Sequence, residues 1–116
     1  MTREFIVLPS FSLKWKSLGL DDSDMRRLEN ELLADPQLGV IMSGTGGVRK
    51  MRFAFENRGK SGSVRVIYID FEIYEKIFFI NVFQKSDKSN LTSGEKNEVK
   101  KLVKLLELSL EGDELE

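Results

Sequence analysis

Apolar and polar residues change their spacing along this chain, and its middle follows the period-two pattern typical of β-strands. Three β-prone stretches lie there: VRKMRFAF (48–55), SVRVIYIDF (63–71) and KIFFINVF (76–83). The first stretch places Met51 and Phe53 on one face and Lys50 and Arg52 on the other. The links between the stretches are too short for helical crossovers, so we predict three antiparallel strands.

The flanking sequence is helical in spacing on both sides of these strands. A short strand over 4–8 ends at Pro9, one or two helical turns follow up to Gly19, and a second helix begins after cap candidates at 21–24. This second helix must end at or before Asp35, because Pro36 disfavours helix at the residue ahead of it. The segment 37–47 is predicted to be a loop with an apolar centre. A last helix, capped by Thr92 or Ser93, carries a leucine-rich stripe with lysines opposite.

These elements predict the α+β class: an antiparallel sheet of about four strands with N-terminal helices and one C-terminal helix. At 116 residues the chain has the size of one domain. We assign the domain to residues 1–110 and expect the acidic segment 111–116 to be a frayed tail.

Composition narrows the chemistry. The chain has no cysteine and no histidine, which excludes disulfides, thiol nucleophiles, the common zinc sites and the usual general base at neutral pH. We therefore expect neither a metal nor a cofactor. We see no signal peptide and no apolar run long enough to span a bilayer, so we expect a cytoplasmic protein without a membrane partner.

Charge is unevenly distributed although the net charge is only −1. The stretch from residue 49 to residue 65 has six basic residues and one acid, Glu56, whereas the stretch from Glu107 onward has five acids and no base. Burying Lys50 and Arg52 would cost too much free energy, so their face of the strand must meet solvent or a cleft. Such a face is either a solvated surface or a site for an anion, and the scarcity of acids favours nucleic-acid phosphate.

The run SGTGG (43–47) precedes the first of these strands. Phosphate-binding loops of nucleotide-binding proteins lead into a helix, whereas a β-prone segment follows here. We therefore interpret the glycines as a turn, with positive φ at Gly46 or Gly47, that leads into the strand.

Three ordered segments together resemble a known family: PQLGVIMSGTGGVRKMRF, GKSGSVRVIYI and FFINVFQKSDKSNLTSGEKNEVKKLV. They are similar to the RelE-like toxins of bacterial toxin–antitoxin systems, specifically the HigB branch, from about Phe5 to Leu106. The resemblance implies the family's microbial RNase-like fold. It also implies a ribosome-dependent endoribonuclease that cuts mRNA in the ribosomal A site without a metal and is neutralised by a helix-turn-helix, HigA-like antitoxin.

The resemblance also implies site residues. In this family the ribose 2′-OH attacks the adjacent phosphate, which requires a base, positive charge for the phosphorane and an acid for the leaving oxygen. The catalytic candidates are Lys50, Arg52, Arg65 and Lys85. Arg52 stands where the best-known members have a second lysine, and because arginine hardly deprotonates, Lys50 is the candidate base. The late tyrosine of some members is replaced near Thr92. The candidates for RNA binding are Arg49, Arg58, Lys60, Tyr68 and Lys88.

Two other functions remain open at this stage. A ParE-like relative would share the fold and poison DNA gyrase, although such chains usually lack a full basic set. A nucleic-acid-binding or protein-binding module of the same fold, without cleavage activity, is the other possibility.

Overall fold

A computed structural model describes residues 2–56, 62–84 and 90–115 of the chain. The elements follow in this order: β1 (Glu4–Val7), α1 (Pro9–Ser17), α2 (Asp22–Ala34), β2 (Val40–Ile41), β3 (Arg49–Ala54), β4 (Ser63–Phe71), a 3-10 turn (Glu72–Tyr74), β5 (Lys76–Gln84) and α3 (Ser93–Leu115). The α+β class and the predicted positions of the three helices are confirmed.

The sheet has five strands in the order β1-β5-β4-β3-β2. β1 pairs with β5 in parallel, from Glu4 opposite Lys76 to Val7 opposite Phe79, and all other neighbouring strands are antiparallel. The prediction of about four strands in an antiparallel sheet is thus corrected to a mixed sheet of five. The additional strand is β2, which lies within the segment predicted to be a loop.

Both faces of the sheet are covered, so the protein has three layers. One face packs against Phe11 and Trp15 of α1 and Leu28 and Leu32 of α2. The other face packs against α3 through residues that include Val103. A strand covered on both faces is apolar on both sides, which explains the continuous apolar run of β5.

Local signals set the ends of the helices. Pro9 occupies the first turn of α1, where its missing N–H costs nothing. Asp21 and Asp24 form a reciprocal capping box at the start of α2. Thr92 and Glu95 form a second reciprocal pair: the Glu95 amide donates to Thr92 Oγ1 at 3.1 Å, and the Thr92 amide donates to Glu95 Oε1 at 2.9 Å. The prediction of Thr92 as a helix cap is therefore confirmed.

The C-terminal helix is longer than its apolar stripe. α3 continues to Leu115, past the domain boundary that we predicted at residue 110. The assignment of 111–116 as a frayed tail stays a prediction. In the described ranges no helix is both long enough and apolar enough to span a membrane.

Candidate functional site

The basic residues of β3 and β4 share one face of the sheet. Arg52 lies directly opposite Arg65, and Lys50 lies opposite Ile67. Because directly opposed residues on antiparallel strands point to the same side, Lys50, Arg52 and Arg65 form one group, which we call the basic face. Met51 and Phe53 are buried on the other side, against α1 and α2. The alternation predicted from the sequence is confirmed for this strand.

The basic face remains accessible although α3 covers the same side of the sheet. A Cβ atom placed on Gly46 would lie 3.4 Å from Val103 Cγ1, so α3 crosses the sheet near the start of β3. Arg52 is exposed, and Lys50 and Arg65 are half-buried. Arg52, in the second half of β3, therefore remains open to solvent although α3 covers part of the same side of the sheet.

Arg52 and Arg65 are linked through one hydroxyl group. Arg52 Nε and Arg65 Nη1 each donate a hydrogen bond of 2.9 Å to Ser63 Oγ. Like charges directly opposite each other destabilise a sheet. Neither guanidinium forms an ion pair with a carboxylate in the described ranges, so this end of the sheet holds concentrated positive charge. An anion bound there would relieve the repulsion.

Arg49 belongs to a different environment. It lies opposite Tyr68 and therefore points to the face away from Lys50. Its Nη1 donates to the carbonyl oxygen of Gly39 at 2.7 Å and to that of Gln37 at 3.3 Å. Arg49 thus holds the loop ahead of β2, and the structure does not bring it into the basic face.

Tyr68 is a buried residue of the core and lies apart from the basic face. Its side chain is 0% exposed. Its hydroxyl donates to the Pro36 carbonyl at 2.9 Å and accepts from the Gly39 amide at 2.8 Å. A Cβ atom on Gly39 would lie only 2.9 Å from Tyr68 Cε1, so glycine is needed for this close approach. The hydroxyl of Tyr68 therefore stabilises the loop between α2 and β2.

The pKa of Tyr68 gives this burial a measurable consequence. Desolvation raises the pKa above its usual value, and the Gly39 hydrogen bond and Arg49 oppose that rise. The folded protein therefore holds the Tyr68 proton more tightly than the unfolded chain does. The contribution of Tyr68 to the free energy of unfolding is fully present below the unfolded-state pKa of about 10, and it is lost as pH rises through the folded-state pKa. We expect the difference in unfolding free energy between the wild type and Tyr68→Phe to narrow above about pH 10. Urea unfolding at a series of pH values measures it; a constant difference would contradict this account.

The glycine-rich run forms a turn, as predicted. Gly44, Gly46 and Gly47 have φ of 77°, 82° and 110°, in the left-handed region that favours glycine. Thr45 Oγ1 donates to the Met42 carbonyl at 2.6 Å and accepts from the Val48 amide at 3.1 Å. The run therefore leads the chain from β2 into β3.

Four of the predicted residues lie outside the described ranges: Arg58, Lys60, Lys85 and Lys88. The described residues that flank them can be placed. Phe55 N–H donates to the Gly62 carbonyl at 3.2 Å, and Gln84 lies opposite Val64. Both flanking points are therefore at the end of the sheet that carries Arg52 and Arg65.

Ser63 is a site residue that the sequence reasoning missed. It lies within the Gly/Ser-rich link, where serine is a common turn residue. The signal that would have identified it is its spacing: it precedes Arg65 by two positions on a strand and so shares its face.

Comparison with known proteins agrees with this architecture. A family model described as the RelE toxin of the RelE/RelB toxin–antitoxin system matches residues 16–116. A solved structure of a double arginine mutant of E. coli toxin RelE in the free state is similar, with a TM-score of 0.53 and 16% sequence identity. The match covers 76% of this chain and 88% of that one. At such low identity, the structural likeness shows the fold alone.

Proposed function

Since this chain belongs to the RelE toxin family, we propose that it is a ribosome-dependent mRNA endoribonuclease that inhibits translation and is neutralised by a cognate antitoxin. The basic face carries this proposal. Lys50, Arg52 and Arg65 lie together on β3 and β4, and the two arginines have no carboxylate partner in the described ranges. Such a face suits a polyanionic backbone.

In the proposed reaction, the 2′-OH of one nucleotide loses its proton to a base, and its oxygen attacks the adjacent phosphorus. The P–O bond to the next nucleotide breaks, and the leaving oxygen takes up a proton. The products are a 2′,3′-cyclic phosphate and a 5′-OH, and no co-reactant is needed. The steps require positioning, proton transfer and stabilisation of negative charge.

Each residue of the basic face has a role in this proposal. Lys50 acts as the base, because lysine can lose its proton whereas arginine hardly can. Arg52 and Arg65 bind the phosphate oxygens and stabilise the added charge of the phosphorane. Lys85 is the proposed fourth catalytic residue. Arg58, Lys60 and Lys88 are proposed to extend the RNA-binding surface; Arg49 and Tyr68 are left out because of their contacts with the loop ahead of β2.

The proposed partners follow from the same family membership. We propose that the substrate is mRNA in the ribosomal A site, that the toxin contacts 16S RNA there, and that the antitoxin is a helix-turn-helix, HigA-like protein. We propose action in the cytoplasm, where translating ribosomes are found, without a metal or a cofactor.

Mapping of mRNA ends in translating cells tests the proposed function. The chain is expressed under tight control, and 5′ ends are compared before and after induction. We expect new ends inside reading frames, in phase with codons, that carry 5′-OH groups. Arrested growth with intact mRNA would contradict RNA cleavage and would favour a gyrase poison or a binding protein of the same fold.

A further inference from the structure

We infer that Ser63 completes a phosphate-binding site with Arg52 and Arg65: it positions the two guanidinium groups and donates a hydrogen bond from its hydroxyl to the bound phosphate oxygen. This inference rests on the proposed function and adds to it an uncharged residue, Ser63, that lies on the same side of the sheet as the three cations of the basic face. Ser63 is the first residue of β4. It contacts both arginines through its side chain, although it is adjacent to neither in sequence.

The hydrogen-bond inventory of a serine hydroxyl supports this role. A hydroxyl has two acceptor lone pairs and one donor proton. In Ser63 both lone pairs are engaged, one by Arg52 Nε and one by Arg65 Nη1, each at 2.9 Å. The hydroxyl proton has no acceptor among the described residues, and it lies between two cations. A phosphate oxygen is the ligand that accepts from all three.

The same contacts fix the two guanidinium groups. Among the described residues, each guanidinium donates one of its five N–H groups to Ser63 and has no other hydrogen-bond partner, so further donors can bind a ligand. Arg65 is half-buried and Arg52 exposed, so without Ser63 the Arg52 side chain in particular gains rotamer freedom. Fixing it before the ligand binds reduces the entropy lost on binding.

Binding of RNA without ribosomes tests Ser63 independently of cleavage. The probe is a short single-stranded RNA with 2′-O-methyl riboses, which cannot be cut. We expect Ser63→Ala to weaken binding about tenfold, as for the loss of a hydrogen bond to a charged group. We expect the salt dependence of binding to stay unchanged, because no charge is removed, whereas Arg65→Ala should lower its slope by about 1.

Two variants of the same position and one control complete the experiment. Ser63→Thr keeps the hydroxyl and should restore binding, whereas Ser63→Cys keeps the size and should not, because a thiol is a weak donor and acceptor. Ser17→Ala is the matched control: Ser17 Oγ donates to the Lys14 carbonyl at 2.7 Å at the end of α1, which packs on the opposite side of the sheet from the basic face. It should bind like the wild type.

The NMR signal of the Arg52 Nε–H group reports on positioning directly. We expect Ser63→Ala to shift this signal, which is assigned by its loss in Arg52→Lys. An unshifted signal together with unchanged RNA affinity would overturn the inference, and so would failure of Ser63→Thr to restore binding. If Ser63→Ala weakens RNA binding but the wild type cuts no mRNA in cells, the phosphate site stands and the proposed nuclease function fails.

Discussion

Replacement of Lys50 by alanine is expected to reduce mRNA cleavage by about 10²–10⁴-fold, the contribution typical of a positioned acid or base. Lys50 shares the basic face with Arg52 and Arg65, so a phosphate bound to the arginines would lie near its amine. Lys50 is half-buried, so replacing its side chain with alanine should leave the fold unchanged. Quantitative mapping of codon-phased ends after induction, with equal protein levels confirmed, measures the loss.

A charge-conserving variant separates base catalysis from simple phosphate binding. Lys50→Arg retains the positive charge but replaces the amine with a guanidinium, which hardly deprotonates and is therefore a poor base. It should therefore remain nearly as inactive as Lys50→Ala while binding RNA like the wild type. Lys101→Ala is the control. It removes a lysine of α3 whose side chain is 75% exposed, and this variant should cleave mRNA normally. Full cleavage by Lys50→Arg would show that Lys50 supplies charge only.

Replacement of Asp70 by alanine is expected to lower the free energy of unfolding by about 3 kcal/mol, because it removes the carboxylate that directly pairs with the Arg3 guanidinium. Arg3 Nε donates to Asp70 Oδ1 at 2.7 Å, and Arg3 Nη2 donates to Asp70 Oδ2 at 3.2 Å. The two side chains are only 6% and 2% exposed. Urea unfolding monitored by circular dichroism measures the change.

An exposed pair and a double variant are the controls for this prediction. Lys76 Nζ lies 2.7 Å from Glu4 Oε1, but the Glu4 side chain is 63% exposed, so Lys76→Ala should cost less than about 1 kcal/mol. Combining Asp70→Ala with Arg3→Met removes both buried charges and should recover most of the loss. If the double variant is as unstable as Asp70→Ala alone, the cost comes from lost packing and not from the stranded charge.

The parts of the fold that depend on local pattern could be predicted from the sequence. Lys50 and Arg52 alternate with Met51 and Phe53, and because burying two cations would cost too much free energy, the alternation alone predicted which side of β3 stays accessible. Asp21 and Thr92 are helix caps whose partners lie three residues later in the chain, so the capping-box spacing identifies them from sequence alone.

The parts that depend on tertiary contacts could not be predicted in this way. Val40 and Ile41 of β2 are both exposed, so they lack the alternation that would mark a strand. The parallel partner of β1 lies more than seventy positions away in β5, and no local signal specifies it. Alternation placed Tyr68 in a strand, but its burial depends on Pro36 and Gly39, which reach it only in the folded state.

The parallel pairing of β1 with β5 has a consequence for synthesis of the chain. β1 is synthesised first, but it can pair only after β5 has been made, because Glu4 pairs with Lys76 and Val7 with Phe79. Contacts this distant in sequence slow folding, because the connecting chain must lose its entropy first. The β3–β4 hairpin that carries the basic face joins strands that are neighbours in sequence, whereas its support from β5 and β1 comes late. A chain that stops before β5 therefore leaves the edge of β4 unpaired. We expect such an incomplete chain to aggregate and not to cleave mRNA.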